Sequence, residues 1–347
     1  MASKKTYRLG IIGCGAVAKD FHLPAMVKND RVEIAAAADV IVDRAREVAV
    51  RFEIPFAYSD YRELLAKTEL DAVLVATPPA VIPEIVIDCL DSRLHVLAEK
   101  PIATGIEAGE RLVKAAAGSD RVVQVGFIFR HSSSLERVRE WVAAGKVGGP
   151  LVVRLGIFDE VWMGDVPEQN ERLIGFLTEG SPMLMMGAHL ADLANMIIPS
   201  RPIRVHGSAV MTRAGLPRAN HWIGLVEYED GSVAKLEVGW LHPLPRQERE
   251  KLLYPATRED EWEFFGEKAV VRYNFQTGGL RCAGEEELIE ESYPPQELNF
   301  DRQLERFIAS LDGERPLSPS LEDGLKSLTL THTLQRAISE GRIIDLD

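Results

Sequence analysis

Two glycines one residue apart, Gly13 and Gly15, follow the apolar run LGII, and Ala18 stands three residues further on, where a segment of helical period begins. Glycine at the first position permits a tight turn from strand to helix. Glycine at the second lets the backbone approach a pyrophosphate, and the small Ala18 lets the helix lie close on the strand. Backbone N–H groups near Ala16 and Val17 then face an anion at the helix N-terminus. This strand–turn–helix context separates a dinucleotide fingerprint from a chance pair of glycines. The next apolar run, VEIAAAAD, ends in Asp39, 24 residues after Gly15, where a carboxylate accepts hydrogen bonds from ribose hydroxyls. The same charge repels a 2′-phosphate. Val40 and Ile41 add no cation, although Arg44 is close enough to meet the cofactor, so NAD is expected and NADP is less favoured.

The elements that position these residues are readable from Tyr7 to about Gly126, where short apolar runs alternate with helical patterns, the signature of a parallel sheet covered by helices. Strands are predicted at Arg8 to Ile12, Val32 to Ala38, Phe56 to Tyr58, Ala72 to Ala76, His95 to Ala98 and Val122 to Val125. Helices are predicted at Asp43 to Phe52, Pro79 to Leu90, Ile106 to Ala117 and Ser134 to Ala144. GKVGGP then marks a change of texture. Beyond it, Ala234, Leu236, Val238 and Trp240 alternate with outward residues, and Asp230-Gly231 joins this run to Trp222 to Tyr228 as a hairpin. Helices Leu298 to Leu311 and Leu321 to Glu340 close the chain. The fold class is therefore α/β: a doubly wound parallel sheet over residues 1–127, then a second domain over 128–347 with an open, mostly antiparallel sheet.

At 347 residues and a net charge of −13, the chain has no positive field to attract nucleic acid or anionic lipid. No apolar run is long enough to span a bilayer, and the apolar stretch near the N-terminus is too short for a signal-peptide core. The three cysteines, Cys14, Cys89 and Cys282, have neither disulfide nor zinc spacing. A cytoplasmic protein with buried, reduced thiols and a small-molecule ligand is expected.

Glu99-Lys100-Pro101 at the end of one predicted strand and Thr77-Pro78-Pro79 at the end of another extend the pattern. Together with the glycine turn, the GKVG break and the closing segment holding Pro316, Pro319 and Asp323-Gly324, they make the chain resemble the Gfo/Idh/MocA oxidoreductases. The resemblance implies a Rossmann domain whose cofactor site includes Thr77, Pro78, Glu99 and Lys100. It also implies a dimer or tetramer joined through the second sheet, and sugars, polyols or their derivatives as substrates. Hydride transfer at an alcohol carbon needs a group that takes or gives the hydroxyl proton. Lys100, at the carboxyl end of a parallel strand, is the first candidate, although a lysine there is ordinarily a solvated charge.

The second candidate lies in GSPMLMMGAHLADLANMI, which is similar to the family's G-G-x-L-x-D-x-G-x-H-x-x-D segment. The resemblance implies that His189 is an acid/base or a substrate ligand and that Asp192, on the same helix face, holds a substrate hydroxyl. Met185 stands where the family carries a carboxylate, and it cannot orient the imidazole. Asp159 or Glu160 would be substitutes. Otherwise the protein uses bound NAD in a redox-neutral elimination or glycoside cleavage, or is a non-catalytic nucleotide-binding regulator. Ile82 and Ile128 replace a frequent histidine and asparagine, making the nicotinamide end more apolar. Arg130 and His131 either meet a substrate anion or are surface charge at the domain junction. Trp162 either stacks on a sugar or packs, and His22 could line the nucleotide site.

Overall fold

The computed structural model describes residues 5–159, 181–212, 214–240, 261–295 and 299–346. Trp162 and Glu160 lie outside them, as does the side chain of Asp159. The chain divides into two compact units. The first comprises Met1–Ile128 and Asn299–Leu328, and the second Phe129–Leu298 and Thr329–Asp347. The first pass through that unit ends at Ile128. The return of 299–328 corrects the expectation that everything after residue 127 forms the second domain.

The first unit is built on β1 (Tyr7–Ile12), β2 (Val32–Ala38), β3 (Phe56–Tyr58), β4 (Ala72–Val75), β5 (His95–Ala98) and β6 (Val123–Val125). They form a parallel sheet in the order β3-β2-β1-β4-β5-β6. That order reverses direction next to β1, and ligands of doubly wound sheets bind at the carboxyl ends of strands at such a switch point. Every residue of β4 is buried, as a parallel strand covered on both faces requires. Among the connecting helices are α1 (Leu23–Val27), α2 (Val42–Arg51), α3 (Tyr61–Lys67), α4 (Ile82–Asp91) and α5 (Ile106–Ala117). The short α3 has no counterpart in the sequence expectations; Asp60 caps it by accepting from Arg62 N.

The returning segment completes this core. Leu304, Phe307 and Ile308 pack with Leu9, Ile11 and Leu74. Val125 N donates to Pro319 O at 3.1 Å, and Gln124 Nε2 donates to Gln303 O at 3.2 Å. Asp312, at the C-terminus of the helix Phe300–Leu311, accepts from the Tyr7 hydroxyl at 2.8 Å and from Arg31 at 2.6 and 3.0 Å.

The second unit holds a nine-stranded sheet among the described residues. Its strands are β7 (Val152–Asp159), β8 (Pro202–Val210), β9 (His221–Tyr228), β10 (Val233–Trp240), β11 (Glu261–Phe265), β12 (Ala269–Asn274), β13 (Gly279–Gly284), β14 (Leu288–Ser292) and β15 (Ile344–Asp345). The order is β14-β13-β12-β11-β7-β10-β9-β8-β15, and β7 with β10 is the one parallel pair among these strands. The sheet is therefore mixed and mostly antiparallel. The predicted hairpin is present: Gly231 takes φ +85° and Ser232 N donates to Asp230 Oδ1. Buried residues alternate along all of β9 and along β10 as far as Val238, beyond which Gly239 and Trp240 are both buried, and the helix Gly187–Ile197 packs on β7 and β10.

Candidate active site

In the first unit the candidate nucleotide-binding residues lie at the carboxyl ends of β1, β2, β4 and β5. Gly13 takes φ +93°, and a Cβ there would stand 2.4 Å from the Ala76 carbonyl oxygen. The first glycine is therefore demanded both by backbone conformation and by the close approach of the strand end next to it. A Cβ on Gly15 would meet nothing within 4 Å, so this face of the turn is open to a ligand. Ala18 is fully buried against the core of the sheet. Ala16 and Val17 begin the helix, which continues through a π-helical stretch, Ala18–His22, into α1.

Asp39 follows β2, and its carboxylate is anchored twice. Oδ2 accepts from Cys14 N at 2.8 Å and Oδ1 accepts from Ile41 N at 2.8 Å. Two accepted bonds leave lone pairs for ribose hydroxyls. Burial, with the Asp39 charge adding to it, pushes the Cys14 thiol up to about 12, while the nearby Arg44 opposes the shift. Arg44 itself is exposed on α2. Thr77 follows β4, and its Oγ1 is buried with no hydrogen-bond partner in the structure, while Pro78 is exposed. An open glycine turn, a fixed carboxylate with spare acceptor capacity and an orphaned hydroxyl all suit a dinucleotide. The backbone of Gly15 to Val17, Asp39 and Thr77 would hold it.

Lys100 is half-buried just beyond β5. Glu99 before it is buried, and its Oε2 accepts from Lys100 N at 3.2 Å while Oε1 lies 2.8 Å from His22 Nε2. His22 therefore sits inside the unit, 3% exposed, and its partner is Glu99. Gly126 makes room for this carboxylate, because a Cβ there would stand 2.8 Å from Glu99 Oε1. Sequence reasoning missed the arrangement, although a glycine immediately after the last strand signals close approach. Ile82 opens α4 and is fully buried, and Ile128 is buried too.

The remaining candidate residues belong to the other unit. Ser181 caps the short helix Pro182–Met185 by accepting from Leu184 N, and it donates to Gln335 Oε1 at 2.9 Å. Met186 separates this turn from the helix Gly187–Ile197, which carries His189 and Asp192, both buried. Met183 is buried and packs against Gly187, while Met185 is only partly covered. The 3-10 turn Ile128–His131 places two consecutive residues on that helix. Phe129 presents its ring edge-on to His189 at 5.1 Å, and Arg130 grips Asp192. Arg130 and His131 are thus not surface charge: the first is spent on Asp192 and the second is fully buried. Asp192, the expected ligand of a substrate hydroxyl, is held in an ion pair in which both of its oxygens accept from Arg130.

Among the described residues, no group of three or more His, Cys, Asp or Glu could hold a metal ion, and no helix is long and apolar enough to cross a membrane.

Comparison with known proteins matches residues 7–127 to the oxidoreductase family with an NAD-binding Rossmann fold, and residues 135–272 to the GFO/IDH/MocA C-terminal domain. An uncharacterized oxidoreductase of Rhizobium meliloti is 31% identical over 57% of this chain and 58% of its own length, so the chain spans less than two thirds of that relative. The dTDP-3,4-didehydro-2,6-dideoxy-alpha-D-glucose 3-reductase of Saccharopolyspora spinosa is 30% identical over 69% of this chain and 70% of its own. In fold, the chain is similar to scyllo-inositol dehydrogenase from Lactobacillus casei, solved with NAD(H) and scyllo-inositol. The TM-score is 0.81 at 22% identity, covering 98% of this chain and 99% of that one. The turn at Gly13, the acid at Asp39 and strands β7 to β11 of the second unit thus fall within matched family models, and the chain belongs to the Gfo/Idh/MocA family of NAD-binding oxidoreductases.

Proposed function

We propose that this protein is an NAD-dependent dehydrogenase or reductase acting at a CH–OH group of a hydroxylated, carbohydrate-like or polyol small molecule. The observation that carries the reading is the twice-anchored Asp39 beside the open turn at Gly15. A carboxylate fixed in that place selects a free ribose over a 2′-phosphate, which favours NAD over NADP. The named relatives supply the substrate class: one is a reductase of a nucleotide-linked deoxysugar and another a dehydrogenase of an inositol.

When bound, the nicotinamide accepts or donates the hydride. The residues of the chain handle the proton and the alignment. Lys100 exchanges the proton of the reacting hydroxyl, which a positioned amine does when its nitrogen lies within hydrogen-bond reach of that oxygen. His189 acts from the second unit as a further acid/base or as a substrate ligand. Met185 brings it no charge, and the Phe129 ring packs against it in a T-shaped contact at 5.1 Å. The Arg130–Asp192 pair fixes the helix beneath it. Active chains associate as a dimer or tetramer through the large sheet of the second unit. The cytoplasm is the proposed compartment, in keeping with three free, buried cysteines.

The test is a fluorescence titration of the cofactor-free protein with NADH and with NADPH, followed by a screen of polyols and sugars for change in nicotinamide absorbance. Tight NADH binding, NADPH binding weaker by about tenfold or more, and turnover lost in Lys100→Met with NADH still bound are the expected results. Binding of neither nucleotide, or full activity in Lys100→Met, overturns the reading.

A further inference from the structure

Directly after the phosphate-facing turn, the helix widens into π geometry over Ala18–His22 before returning to α1. Short π-helical insertions in α-helices recur at functional sites, because they re-aim one side chain without breaking the helix. The residue at the end of this insertion is His22. Its ring is 3% exposed and meets the edge of Phe300 at 4.7 Å, and Phe300 in turn stacks on Phe21 at 5.1 Å. An imidazole packed among aromatic rings needs a polar partner, and it has one in Glu99, 2.8 Å away and also buried. A carboxylate can only accept, so the ring nitrogen donates. The other carboxyl oxygen accepts from Lys100 N.

Two hydrogen bonds therefore run from the helix that receives the pyrophosphate to the peptide that carries Lys100. Gly126 completes the cradle: a Cβ there would stand 2.8, 3.0 and 3.1 Å from Oε1, Cδ and Oε2 of Glu99. The carboxyl group is confined by a glycine on one side and tied by a donor to each oxygen. Stability alone is a poor reason for this arrangement, since apolar side chains of similar volume often replace a buried charged pair without loss.

We propose that His22 and Glu99 are positioning residues for Lys100: they set the path of the Lys100 backbone, and so the place where its amine is delivered, and they tie that place to the helix holding the cofactor phosphates. The proposal rests on the reading of Lys100 as the proton-handling residue.

The full-length variants His22→Ala, His22→Gln and Glu99→Gln test it with two readouts. In the first, kcat with the best substrate is expected to fall about 10- to 100-fold in His22→Ala, the scale of a 1 Å misplacement. NADH affinity and KM should stay within about threefold, and the pH profile of kcat should move. His22→Gln, which can still donate to Glu99, should recover most of the loss. The second readout needs neither substrate nor cofactor. Competitive acylation of lysines, read by mass spectrometry against the exposed Lys114, should change at Lys100 by more than about threefold in His22→Ala and Glu99→Gln. Unaltered kcat, pH profile and Lys100 labelling overturn the proposal. So does a His22→Gln protein as impaired as His22→Ala, because that pattern belongs to packing. If His22→Ala does not fold, Glu99→Gln, of equal volume, carries both readouts. Lys100→Met separates the two readings: if it stays fully active, the assignment of Lys100 fails, whatever the labelling shows of its surroundings.

Discussion

The guanidinium of Arg130 closes on both oxygens of Asp192, with Nε at 3.0 and 2.8 Å and Nη2 at 2.7 Å from them. Asp192 is 2% exposed, so this is a buried, forked ion pair. Its worth lies in being whole. Asp192→Ala breaks the pair from one side and is expected to cost about 3–5 kcal/mol, while Arg130→Met combined with Asp192→Leu should cost clearly less. Urea unfolding of the three proteins decides it; a double variant as unstable as Asp192→Ala would show that packing, not charge, holds this helix.

The two fingerprint glycines should fail in different ways. Gly13→Ala forces a side chain into a left-handed backbone conformation, 2.4 Å from a carbonyl oxygen, and should lose at least about 2 kcal/mol of stability. Gly15→Ala meets no protein atom within 4 Å, so stability should hold within about 0.5 kcal/mol. Its methyl group instead intrudes where the pyrophosphate belongs, and NADH should bind about tenfold or more weakly. Unchanged NADH affinity in Gly15→Ala would remove that face from the nucleotide site.

Alkaline stability should report the clasp between Tyr7 and Asp312. Burial, and after it the hydrogen bond to the Asp312 carboxylate, pushes the Tyr7 hydroxyl from 10.0 up to about 12. Below pH 10.0 the hydroxyl keeps its proton folded or unfolded, and the stabilisation is complete. Above it the unfolded chain loses the proton first, so this contribution falls as the pH rises towards about 12. Tyr7→Phe should be less stable near neutrality and should lose less between those two values. Urea midpoints measured across that range check it; parallel curves for the two proteins would contradict the clasp.

Thiol chemistry supplies a further check. Burial pushes Cys14 and Cys89 up to about 12 and raises Cys282 as well. Iodoacetamide at about pH 8 should therefore leave the native protein unmodified and add to all three cysteines in denaturant, as read by intact mass. Rapid native labelling at Cys14 would mean that the loop beside Asp39 opens in solution.

Sequence reading reached the local parts of this molecule and stopped at the long-range ones. Gly13, Gly15, Asp39 and the strand His95–Ala98 were legible because turn chemistry and apolar runs act over a few residues. His22 and Glu99 are 77 positions apart and Arg130 and Asp192 are 62 apart, so no periodicity joins them. Arg130 read more readily as a surface charge than as an anion ligand, because nothing in the sequence joins it to Asp192. The helix Phe300–Leu311 was readable as a helix, but an amphipathic stripe does not say which sheet it covers. It covers the first one.

That return path governs the order in which the protein can be made. A chain emerging from the ribosome presents all six parallel strands early, yet Leu304, Phe307 and the partner of Tyr7 at Asp312 arrive only after eight of the nine described strands of the mixed sheet, all but β15, have been synthesised. Until then the earlier strands carry an uncovered apolar strip, a state in which nascent chains depend on chaperones. A fragment ending at Ile128 would keep that strip for good. The parallel sheet is thus laid down before the mixed one, and its covering helix follows eight of the mixed sheet's nine described strands.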